Sequence, residues 1–166
     1  MTSFLGFGEV AGMFRDMDNS LAAAERQLIT KVARDGKQMA KDTFGHAQPG
    51  WEPLETSWTM RTHEEHAGDI AAAGFAGIDT PLVVTGSLRD SVKSTRGDTW
   101  AEIGTNDVRM PVHELGAPNP LPGHEDIPAR PVFGPLAKKI HDSLPKEVTN
   151  AYRVVLGTPS GETVIK

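Results

Sequence analysis

Leu21, Ala24, Leu28, Val32, Met39 and Phe44 recur at steps near 3.6 residues, interrupted only around Gly36. That period places them on one face of an α-helix, and a stripe this long has to be covered by other parts of the chain. Asp18, Asn19 and Ser20 offer N-cap side chains. Lys37 and Lys41 sit where they complement the negative end of the helix dipole. Gly45 is a natural stop, because glycine tolerates the left-handed conformation that ends many helices. The spacing predicts a helix over about 19–44.

The period then changes. Residues 91–95 and 99–104 read as two strands joined at Arg96-Gly97-Asp98, with Ala101 and Ile103 alternating with Trp100 and Glu102. Thr85 can cap a short turn that begins at Gly86 and leaves Leu88 pointing inward. Gly134-Pro135 opens a further helix with an apolar edge at Leu136, Ile140 and Leu144. Pro145 is expected to end or kink it, because an interior proline removes a donor. A last helix then uses Val148, Tyr152 and Val155 and stops at Gly157. This order predicts an α+β fold: a small antiparallel sheet packed against one long N-terminal helix and C-terminal helices. At 166 residues, one domain spanning 1–166 is expected.

Three stretches fit this frame less well. In residues 1–17, Phe4, Phe7, Val10, Met13 or Phe14, and Met17 recur at near-helical spacing, but Gly6, Gly8 and Gly12 weaken a helix. The segment reads as a helical turn on its own core, as an arm ordered by a neighbouring subunit, or as disorder. Residues 46–80 form a long connection in which Trp51 and Leu54 are anchors and Leu54 to Arg61 a short helix. Within it, 62–80 has the composition of a mobile insertion loop. Residues 117–128 form a proline- and glycine-rich loop, also expected to be mobile. Pro128 and Pro131 hold the backbone extended on either side of Arg130. Thr163-Val164-Ile165 could add a strand to this sheet or a neighbour's.

Net charge is 17 − 22 = −5 with neutral histidines, and no run is dense in lysine or arginine. Specific reading of duplex DNA, which draws much of its affinity from phosphate neutralisation, is not expected. There is no cysteine, which excludes disulfides and thiolate metal sites. No apolar run reaches the roughly 18–20 residues that span a bilayer. Met1 to Phe14 lacks the basic residues of a secretory signal.

Catalytic constellations are weak. His63-Glu64-Glu65-His66 has histidines at i, i+3, whereas a zincin helix needs i, i+4. His113-Glu114, His124-Glu125 and His141-Asp142 could add ligands only by folding together. Ser87, Ser91 and His113 lack a nucleophile elbow. Arg96-Gly97-Asp98 is read as a hairpin turn. No catalytic, metal or cofactor residue is assigned. Arg89, Asp90, Glu114 and Arg130 are the polar residues of most interest. Arginine forks pair bidentately with carboxylates, either as an internal brace or as a contact between subunits.

Four motifs occur in order: Thr85-Gly86-Ser87-Leu88-Arg89-Asp90-Ser91, Ile103-Gly104-Thr105, His113-Glu114-Leu115-Gly116 and Pro128-Ala129-Arg130-Pro131. Together they resemble the phage virion-morphogenesis and tail-completion family, which includes the Mu-type G protein and related head–tail junction proteins. The resemblance covers about 85–157 well and 51–61 weakly. It departs at the insertion after Arg61 and at Phe133-Gly134-Pro135. It implies a structural, non-enzymatic subunit without a cofactor, located at the head–tail junction of a virion and in the host cytoplasm during assembly. The implied partners are further copies in a ring, a hexamer by preference, and neighbouring neck, tail-terminator or tail-tube proteins. DNA would pass nearby without specific binding, and no membrane is involved. A tail terminator or head-closure protein is the alternative within this class, and a metal-dependent hydrolase the alternative outside it. The expected contact residues between subunits are Phe4, Phe7, Arg89, Asp90, His113, Glu114, Arg130 and Phe133.

Overall fold

A computed structural model describes residues 7–53, 56–75, 80–118 and 126–156, with 56–63 as backbone only. The elements are α1 (Phe7–Thr43), α2 (Thr56–Ala72), α3 (Ser87–Asp90), β1 (Lys93–Arg96), β2 (Ala101–Gly104), α4 (Met110–Leu115) and α5 (Phe133–Leu156). The fold is α+β, as the change of period predicts. Strands β1 and β2 pair antiparallel, with Lys93 opposite Gly104 and Arg96 opposite Ala101.

Helix α1 carries the rest. Its 37 residues extend about 55 Å at the usual rise per residue. The C-terminal half packs on both the hairpin and α5. At Gly36 the approach is close: an added Cβ would collide with the Ile103 side chain of β2 and lie 3.0 Å from Cδ1 of Ile140 in α5. Gly36 therefore interrupts the apolar stripe because two isoleucines fill the place of its side chain. Ala40, Phe44, Val83, Leu88, Val92, Met110, Val132 and Leu136 form the buried cluster beyond it. Phe44 is fully buried.

Helix α5 runs antiparallel to α1, since Ile140 sits at Gly36 and Glu147 pairs with Lys31 at 3.0 Å. Helical rise then brings Leu156 level with about residues 20–22 of α1. The first four turns of α1 extend past the described end of α5.

Three expectations need correction. First, α1 begins at Phe7, not near 19. Ser20 does not cap, because its hydroxyl donates to the Asp16 carbonyl within the helix. Second, 62–80 is not a loop throughout, because α2 continues to Ala72 with a kink at His66. Ile70 is buried and fixes the helix to the core. The helix ends in a Schellman motif, in which the Gly74 N–H donates to Ala71 and the Phe75 N–H to Ile70. Gly74 supplies the left-handed residue (φ 89°) that this requires. Third, α5 continues through Pro145 to Leu156 as one helix, so the expected break is absent. One backbone donor is missing at Pro145, and the packing at Ile140 and the Glu147–Lys31 pair flank that gap. The expected strand at 163–165, most of the 117–128 loop and Phe4 lie outside the described residues. The base of that loop is closed by Ala117 and Ile127, which exchange backbone hydrogen bonds.

Leu82 adopts a left-handed backbone (φ 64°), which costs a branched residue about 1 kcal/mol or more. It lies between buried Pro81 and Val83 and packs on the core.

The Gly36 crossing makes a paired prediction. Gly36→Leu should destabilise the protein by about 1–3 kcal/mol through overpacking. Gly12→Ala, in a helical turn with no atom within 4 Å of the new Cβ, should not lower stability. Urea unfolding of both variants checks this, and a Gly36→Leu midpoint at the wild-type value would contradict the packing.

Candidate functional site

The four motif segments lie beside the core as two hydrogen-bonded pairs. Thr85 accepts the Ser87 N–H at 3.3 Å just before α3, whose N-cap is Gly86 and whose Leu88 is buried. Ser91, at the end of α3, bonds Thr105 at 2.6 Å, and Thr105 in turn accepts the Asp107 N–H. The first motif is thereby tied to the exit of β2. Asp107 accepts from the Arg109 guanidinium and backbone, and these bonds push its carboxyl down to about 2. Arg109 also reaches Ser87 at 3.1 Å.

The third and fourth motifs are joined more tightly. The Arg130 N–H donates to the His113 carbonyl at 2.6 Å. Glu114 accepts three consecutive N–H groups at the start of α5: Val132 at 2.7 Å, Phe133 at 3.1 Å and Gly134 at 2.8 Å. These are donors that a helix start cannot satisfy internally, and a carboxylate there also complements the helix dipole. Glu114 thus caps α5 from a distant part of the chain.

The expected contact residues divide. Arg130 is only 7 % exposed, and its Nη2 reaches the Glu52 carbonyl at 3.3 Å. Arg89 donates to the Ala73 carbonyl at 2.7 Å and lies 5.5 Å from the Phe75 ring centre, holding the end of α2. Within the chain, both arginines and Glu114 are internal braces. Phe133 is half-buried against the core. Asp90 is more exposed; the Arg89 hydrogen bond is the main cause holding its carboxyl below the usual range, with Lys41 3.6 Å away. Phe7 is 98 % exposed. The corner brings Arg89 and Asp90 together, and separately His113, Glu114, Arg130 and Phe133.

A groove of about 290 Å³ borders Arg89 and Asp90 and is lined in part by Lys41, Asp42, His46 and Phe75. Its charges are of both signs, and Asp90 already pairs with both Arg89 and Lys41. Among the described residues no group of three or more histidines, aspartates or glutamates could hold a metal ion. Glu64 and Glu65 are exposed, and His66 lies 3.5 Å from Asp69. Among the described residues no helix is long and apolar enough to cross a membrane. No family model, curated protein or solved structure matches the chain.

Sequence reasoning missed the Ser91–Thr105 tie, the Asp107–Arg109–Ser87 cluster and the anchoring of α2 by Ile70 and Phe75. An Asp-x-Arg pair at the start of a short helix is a readable sign of the second. The first joins side chains 14 residues apart and has no local sign.

His113 makes a pH prediction. Its Nδ1 is buried with no partner among the described residues. Burial chiefly, then the charges of Arg130 and Arg109, hold its pKa below the ordinary 6.5, with Asp107 opposing. The folded state thus binds this proton more weakly than the unfolded state. Its contribution is fully present above pH 6.5 and is lost as pH falls below that value. Wild-type stability should fall across that window more steeply than that of His113→Leu, measured by denaturant unfolding at each pH. Equal slopes would contradict this. The helix cap makes another prediction. Glu114→Ala should cost about 1–3 kcal/mol, with Glu114→Gln milder because one acceptor oxygen remains. Faster amide exchange at 132–134 checks it, and unchanged exchange would show that these donors have another acceptor.

Proposed function

We propose that this chain is a structural subunit of a phage virion that acts at the head–tail junction as a tail-completion or neck protein and assembles with further copies of itself. One observation carries this reading. Four motifs, spread over 85–131 and ordered as in the virion-morphogenesis family, form two hydrogen-bonded pairs beside one core instead of four unrelated turns. Ser91 bonds Thr105, Arg130 bonds His113, and Glu114 caps the helix that follows the fourth motif. Rigid extended backbone and a fixed helix start suit a surface that must present one shape repeatedly. The start of α1, apolar and exposed among the described residues, adds a further surface to that rigid body.

In a closed ring the contacts are head-to-tail, so each surface meets a different surface of the next copy. The hexamer is the ring size adopted in this reading. Arg130, Arg89 and Glu114 serve it from inside, by holding the shape of the corner. In this reading Asp90, Phe7 and the half-buried His113 and Phe133 touch a neighbouring copy. A tail terminator or head-closure role uses the same architecture at an adjacent layer.

Particles made by the encoding phage without this chain should comprise DNA-filled heads and separate tails in electron micrographs. Over-long tails would reassign the chain as a terminator. Heads that lose their DNA would reassign it as a head-closure protein. Joined, infectious particles at normal titre would refute the assembly role. Stoichiometric zinc or manganese retained through dialysis, together with a hydrolytic activity, would favour the hydrolase alternative.

A further inference from the structure

Because α1 is continuous, Phe7, Val10, Phe14, Met17, Leu21, Ala24 and Leu28 form one series with alternating steps of three and four residues. That alternation marks a helix packed against another helix, and it is narrower than the stripe of a helix facing a broad core. Helix α5 covers the series from about Ala24 onward. Before that level, Phe7 is almost fully exposed, Phe14 is 63 % exposed, and Met13 and Met17 are 60 and 41 % exposed. Among the described residues nothing lies within 4 Å of a Cβ added at Gly8 or Gly12. As the extension of a packed helix this segment needs no new nucleus, but it has no covering core among the described residues and each glycine costs about 1 kcal/mol relative to alanine. A stable helix here calls for a second surface.

We propose that residues 7–21 of α1 pair with the same segment of a second copy of this chain, as a short two-helix coiled coil. This rests on the assembly reading's claim that copies of the chain meet one another, and it adds a two-fold contact distinct from the head-to-tail contacts of the ring. The spacing selects a helix as the partner, and an identical seam on a second copy matches its period. The exposed apolar side chains amount to roughly 500 Å² per copy, or roughly 1,000 Å² for a pair, which is the lower bound of a specific interface. A bilayer surface fits poorly, because interfacial helices are rich in lysine and arginine and this segment holds only Arg15 beside Glu9, Asp16 and Asp18. An interface of this size is weak alone and gains when other contacts act in the same assembly.

Sedimentation of the full chain over a wide concentration range tests the pairing, with Phe14→Glu and Phe7→Glu on the seam and Asn19→Lys on the opposite face. The wild type and Asn19→Lys should self-associate. Each seam variant should weaken association at least tenfold and leave the melting temperature of the dilute chain unchanged. Self-association insensitive to both seam variants would overturn the pairing, as would a wild-type chain that stays monomeric throughout. A seam variant that melts earlier while the wild type is monomeric would show that the face is covered by its own chain, which also overturns it. The particle experiment uses none of these variants, so it decides the assembly reading separately.

Discussion

Two isoleucines meet over one glycine. Ile103 comes from the hairpin, Ile140 from α5, and Gly36 of α1 makes room for both. A two-stranded sheet is marginal in water without a surface to lie on. A helix with an interior proline also needs packing to hold its register. Both conditions are met at the middle of α1, where Ala33, Gly36 and Ala40 keep the helix surface low enough for close approach. Phe44 then fills the space beyond, under Leu88, Met110 and Val132. Side chains from the hairpin, α5 and the segments around Leu88 and Met110 thus pack with one face of α1 between about Ala24 and Phe44.

The braced corner depends on that platform. Buried Leu88, Val92, Met110 and Val132 anchor the segments whose polar groups form the ties above them. The ties are short and involve backbone on at least one side in most cases, so they specify shape more than they supply surface charge. Arg130 illustrates the difference. In the sequence it reads equally as an internal fork or as a contact for a neighbour, and in the fold it is buried. A change at Arg130 therefore acts on the shape of the 128–133 segment, whereas a change at Phe7 acts on an exposed surface directly.

Much of this was readable from the residues. Periods of 3.6 and 2 located α1, the hairpin and the start of α5, and Thr85 and Gly45 marked real turns. The failures have common physical causes. Asp18-Asn19-Ser20 resembles a helix start, but Ser20 bonds backward to Asp16, and the split hid a single seam running from Phe7 to Leu28. The glycine- and alanine-rich stretch after Arg61 looked unanchored because one buried side chain, Ile70, and one aromatic, Phe75, suffice to fix it. Pro145 was read by its local cost alone, without the packing on either side. Glu114 was singled out as half of an ion pair; its role as the cap of a helix 18–20 residues away follows from tertiary structure, which no local pattern encodes.

The central claim is that the chain is a built-in part of a virion junction. Locating it in purified particles of the encoding phage tests this most directly, by electron microscopy with peptide mass spectrometry of the same particles. The account predicts the chain in multiple copies per particle, as a ring of density between capsid and tail, with α1 and the hairpin fitting that density. Purified infectious particles that contain none of it would contradict the account.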